Sequence, residues 1–145
     1  MPVDVVTEVE IGRPRHQVAG YVADPANATS WYENIKAVDW PEEERPLAVG
    51  SKMTFTAEFL GRRLTYTYEV REYEPERTLV MRTAQGPFPM ETTYTWEDAG
   101  EGTVMTLRNR GEPSGFSKVA GPMMAAAMRR ANRKDLARLK AILER

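Results

Sequence analysis

No cysteine occurs in this chain. Its absence excludes disulfides, a thiolate nucleophile and zinc–thiolate sites. Histidine is nearly absent too, with His16 the only one, so the chain has no means to build a multi-histidine metal centre or a histidine relay. Neither a metal nor a cofactor is expected. No apolar run approaches the roughly 18 residues of a membrane-spanning helix, and no membrane insertion is expected. The opening Met1-Pro2-Val3-Asp4 lacks the basic and apolar regions of a signal peptide, which points to a soluble, cytoplasmic protein. Charge of one sign is missing as well: 20 basic and 21 acidic side chains leave a formal charge of -1. No overall field draws the chain to nucleic acid or to an anionic membrane.

What is present is enough for one domain, residues 1–145, able to bury about two thirds of its unfolded surface without staples. Arginine outnumbers lysine 15 to 5, a bias attributable to a GC-rich genome rather than to function. Val3, Val5, Thr7, Val9 and Ile11 alternate with polar residues, the period-two mark of a strand with one buried face. Proline is tolerated at a first helical position, so Pro14 to Ala23 reads as a short helix. Asp24-Pro25 repeats the device and opens a second short helix carrying Trp31. Ile35 to Trp40 is a short strand, and Pro41 to Pro46 is a charged loop whose glutamates read as a solvated connection.

From Ser51 onward the chain is a meander. Met53, Phe55, Ala57 and Phe59 share one face; Leu60-Gly61-Arg62 turns; Leu64, Tyr66, Tyr68 and Val70 share the next. Tyr73 to Glu76 turns again, Arg77 to Thr83 carries Leu79 and Met81, and Gln85 to Pro89 is a loop. Met90, Thr92, Tyr94 and Trp96 alternate through another strand. Thr103 to Arg110 closes the set, with Met105 and Leu107 inward.

Phe116 to Arg145 is a long amphipathic helix, up to roughly 45 Å at 1.5 Å per residue. Met124, Met128, Ala131, Leu139, Ile142 and Leu143 form its apolar stripe; Arg129, Arg130, Arg133, Lys134, Arg138 and Lys140 form its basic arc. Gly121-Pro122, together with the different facing of Phe116 and Val119, predicts a kink. The fold class is α+β: a strand, two short helices, six strands, one long helix. A sheet with one apolar face must bury it, so the seven-stranded antiparallel sheet should curve around the only long element available.

Several of these marks together resemble a known superfamily. They are Pro14 beginning a short helix, Asp24 and Trp31, Gly50 before a long hairpin, Tyr73-Glu74-Pro75, Gly102-Thr103, and the terminal Asp135-Leu136-Ala137-Arg138-Leu139-Lys140. They are similar to the START/Bet v 1-like helix-grip superfamily, and within it to the bacterial polyketide cyclase/dehydrase-like (SRPBCC) group. The resemblance implies a cavity between the curved sheet and the long helix, holding a small apolar or aromatic molecule. It carries over no catalytic motif.

Phe55, Phe59, Tyr66, Tyr68, Met81, Tyr94 and Trp96 from the sheet, with Met124 and Met128 from the helix, are therefore the candidate ligand-binding residues. Pliable methionines and small alanines facing large rings fill space poorly and leave room for a guest. The expected partner is a small hydrophobic molecule, bound by a monomer or homodimer. Asp135, with Asn132 one turn before it, stands on the apolar stripe, where a carboxylate must be paired or protonated. It reads either as a partner for a backbone amide or arginine, or as a general base. A tyrosine near its ordinary pKa of about 10 is a poor base alone. Three functions stay open: a ligand carrier, a polyketide cyclase/dehydratase-type enzyme, and a co-chaperone-like interaction module using Phe88 and Phe116.

Overall fold

Alternation in the sequence becomes one antiparallel sheet in the computed structural model, which describes residues 3–112 and 121–145. The elements are β1 (Val3–Ile11), α1 (Arg15–Val22), α2 (Ala28–Trp31), β2 (Ile35–Asp39), β3 (Lys52–Phe59), β4 (Arg62–Glu74), β5 (Thr78–Gln85), β6 (Met90–Ala99), β7 (Gly102–Gly111) and α3 (Gly121–Leu143). The strand order is β1-β7-β6-β5-β4-β3-β2. The sheet is curved and α3 lies along its concave face, the helix-grip arrangement. Because β1 and β2 sit at opposite edges of the sheet, α1 and α2 must carry the chain from one edge to the other.

Local chemistry sets the joints. Pro14 takes the position just before α1 rather than its first helical residue. Asp24 caps the next element, its Oδ1 accepting from Ala26 N at 3.0 Å. That element is a 3-10 turn over Pro25–Asn27, and the single turn of α2 comes directly after it. β3 and β4 are joined by Leu60 and Gly61, both at positive φ (51° and 77°), the backbone hand that matches a two-residue hairpin to strand twist. β4 runs on to Glu74, past the alternation that marks it, because the register with β5 shifts between Val70 and Glu72. Such a bulge breaks the inward–outward rhythm while pairing continues. Gly102 is required by crowding: a Cβ there would lie 2.6 Å from the Ile11 carbonyl oxygen.

The expected helix from Phe116 is described from Gly121. Phe116 and Val119, and with them the segment before the expected kink, lie outside the described residues. Pro122 stands in the first turn of α3, where a missing N–H costs nothing. Further on, α3 buries Leu136, Leu139 and Leu143 in the main core, alongside Ile11, Trp96 and Met105. Its closest packing is on β1 and on α2. Polar groups pin that end: Lys140 Nζ donates to the Glu10 carbonyl at 2.8 Å, and Gly12 N donates to Glu144 Oε2 at 2.6 Å.

Candidate functional site

The packing of α3 on β1 leaves a gap over the strands farther from that edge. The gap is a partly open cavity of about 170 Å³. Its sheet wall carries Phe55, Phe59, Tyr66, Tyr68, Met81 and Tyr94, and its helix wall carries Met124 and Met128. Trp96 is a correction: it does not line the cavity. It has the same inward facing as Tyr94 but stands two residues farther along β6, paired with Met105. There the start of α1 is tied to the sheet, Arg13 accepting from Thr103 and Arg15 facing Asp98 at 3.6 Å, and Trp96 is packed solid into the core.

Aromatic rings pack against one another along the wall. Phe55, Tyr66 and Tyr68 form a triangle with centroids 5.0 to 5.9 Å apart. Trp31 joins from α2, its ring 6.0 Å from Tyr94. Phe88 is half-buried and also lines the cavity, so it presents no exposed apolar patch; Phe116 lies outside the described residues.

Two polar clusters interrupt this apolar surface. In one, Tyr68 Oη and Thr92 Oγ1 are 2.8 Å apart, and Thr92 Oγ1 donates to Asn109 Oδ1 at 2.7 Å. In the other, Tyr32 Oη and Tyr94 Oη are 2.7 Å apart, with Asp135 and Asn132 of α3 on the same cavity. Asp135 is 3 % exposed and its Oδ1 accepts from Glu33 N at 3.0 Å. It is thus the backbone-amide partner foreseen as one of its two roles, and it also faces the cavity. Asn132 is 5 % exposed, and its Nδ2 has no hydrogen-bond partner among the described residues.

Burial sets the ionisation of these groups. It pushes the Tyr68 hydroxyl up to about 12, against the lowering effect of its bond to Thr92. It raises Tyr32, Tyr66 and Tyr94 as well. These tyrosines stay neutral, giving and taking hydrogen bonds without serving as bases. Burial also pushes Asp135 up to about 6; the Glu33 amide pulls it down, the Glu33 charge raises it and Arg138 lowers it.

Tyr32, Thr92 and Asn109 join the site without having been candidates from the sequence. For two of them a signal existed. Thr92 shares the inward facing of Tyr94, and Asn109 that of Leu107; polar residues at inward positions of an otherwise apolar strand face invite explanation. Tyr32 had no such signal, since it lies just past α2 in an irregular stretch.

Comparison with known proteins places this geometry. The family model described as "Polyketide cyclase / dehydrase and lipid transport" matches residues 2–144. No curated protein matches the chain. Among solved structures, a START superfamily protein from Mycobacterium smegmatis is similar at 19% identity and a TM-score of 0.80, covering 97% of each chain. The ZhuI aromatase/cyclase from Streptomyces sp. R1128 is 18% identical with a TM-score of 0.79, covering 100% of this chain and 95% of its own. Major latex-like protein 151 from Panax ginseng is 15% identical with a TM-score of 0.75, covering 97% and 96%. At these identities the likeness is one of fold.

Proposed function

This chain belongs to the polyketide cyclase/dehydrase and lipid transport family, and from that premise we propose that it binds a small apolar or aromatic molecule between the sheet and α3. The observation that carries this reading is the cavity of about 170 Å³, walled largely by rings, methionines and other apolar side chains. Such walls hold a guest by burial of apolar surface and orient it through a few hydroxyls. Phe55, Phe59, Tyr66, Tyr68, Met81, Tyr94, Met124 and Met128 are the proposed contacts. The test is native mass spectrometry of gently purified protein before and after organic extraction. A discrete mass that extraction removes is the expected result. A bare mass, with no thermal shift across sterols, fatty acids, flavonoids and polyketides, would overturn it.

A second reading, a cyclase/dehydratase-type reaction in the same cavity, is favoured by Asp135. A carboxylate with its pKa pushed up to about 6 is suited to exchanging protons near neutrality. In this reading it takes a proton from a bound oligoketide that the rings hold folded. Turnover of a short oligoketide by the wild type, abolished in Asp135→Asn while an unsubstituted aromatic hydrocarbon still binds, separates enzyme from carrier.

A further inference from the structure

The polar cluster on α3 has an unmet hydrogen bond, and this identifies what it recognises. A buried amide N–H without a partner is costly, and native structures rarely tolerate one without a reason. Four buried side-chain nitrogens among the described residues lack a hydrogen-bond partner, those of Arg15, Trp40, Trp96 and Asn132; Asn132, 5 % exposed, is the one of them that lines the cavity. Three residues later on the same helix face, Asp135 spends Oδ1 on the Glu33 amide. Its other carboxylate oxygen has no hydrogen bond to a described residue. Residues three apart on a helix are neighbours, about 5–6 Å between Cβ atoms. The pair therefore offers a donor beside an acceptor on the helix wall of a ring-lined cavity.

Resting on the cavity reading above, we propose that Asn132 and Asp135 together recognise a neutral planar ring compound carrying a carbonyl-type acceptor and a hydroxyl or N–H donor on one edge, and exclude carboxylates such as free fatty acids. Asn132 donates to the ligand's acceptor, and Asp135 accepts from its donor. The neutral hydroxyls of Tyr32 and Tyr94, joined to each other, line the same cavity. Other charges bearing on Asp135 are those of Glu33 and Arg138, of opposite sign. An incoming carboxylate would place a second negative charge beside Asp135 in a poorly solvated space, where like charges repel strongly.

The test uses four probes of one shape, with affinities measured by fluorescence titration: naphthalene, 2-acetylnaphthalene (acceptor only), 2-naphthol (donor and weak acceptor) and 2-naphthoate (anion). The wild type should bind the acetyl compound and the naphthol about tenfold more tightly than naphthalene, and naphthoate more weakly. In Asn132→Leu the acetylnaphthalene-to-naphthalene ratio should fall about tenfold, with Asn132→Ala as the second variant if leucine disturbs folding. In Asp135→Asn the naphthoate-to-naphthalene ratio should rise. Naphthalene binding with all four affinities equal would overturn the proposal while leaving the cavity reading intact. Failure of every probe, naphthalene included, would remove the cavity reading itself and the proposal with it.

Discussion

The two ends of α3 solve opposite problems with the same helical geometry. Towards the C-terminus, Leu136, Leu139 and Leu143 are at most 8 % exposed and share the main core with Ile11 and Trp96. Lys140 and Glu144 there reach the backbone at Glu10 and Gly12. Towards the N-terminus the inward residues are Met124, Met128 and Ala131, which border the cavity, and Met124 belongs to a separate smaller cluster with Val3, Val5 and Leu64. Branched side chains with few rotamers fill a fixed space; a flexible thioether or a bare methyl does not. Both halves of α3 lie along β1, and beside the N-terminal half the cavity opens over the strands farther from that edge. Asp135 and Asn132 lie where the two regimes meet.

The sharpest way to break this comparison is to truncate one residue at each end. Leu139→Ala should cost roughly 2–5 kcal/mol in urea unfolding, because a fully buried leucine leaves a void. Met128→Ala should cost less than about 1 kcal/mol, since its side chain already borders empty space. Equal costs would mean that the ends are packed alike.

The junction is tested by pH. The Asp135 carboxyl rises from an ordinary 3.8 to about 6 in the folded state. The folded protein thus holds this proton more tightly than the unfolded chain, and the group's contribution to stability falls as pH rises through that window. The shift corresponds to about 3 kcal/mol between its two limits. Asp135→Asn retains an acceptor for the Glu33 amide and should remove this slope, as read from urea midpoints at about pH 4.5 and about pH 7. An unchanged slope would mean that other groups set the pH dependence.

Filling the void sharpens the contrast from the other side. Ala131→Leu adds three carbons on the cavity wall. It should weaken naphthalene binding at least about tenfold while shifting the melting temperature by no more than a few degrees, roughly 1 kcal/mol. The smallest effect belongs to the polar clamp. Lys140→Ala should lower the urea midpoint only slightly, and less so at high salt, because the ion pair it removes is largely solvated.

Much of this was legible in advance because of where chain chemistry is local. Period-two alternation marked the strands on either side of the short β2, and Asp24-Pro25 announced its own cap. Inward facing also assigned most of the cavity wall, since parity along a strand decides which face a side chain occupies. Trp96 shows the limit: it has the same parity as Tyr94, yet it is core, because its fate depends on α1 arriving above it. The end of β4 was hidden by a bulge, which periodicity cannot register.

Tyr32 marks the deeper limit. It meets Tyr94 at 2.7 Å across a separation of 62 residues, and Asp135 meets the Glu33 amide across 102. The sequence by itself determined the strands, the amphipathic helix and the two-sided sheet, because each arises from neighbours a few positions apart. Tertiary structure alone decided that the sheet–helix interface stays open over the strands away from β1, and which polar groups converge there. A cavity is a difference between two packed surfaces, and no single segment contains that difference.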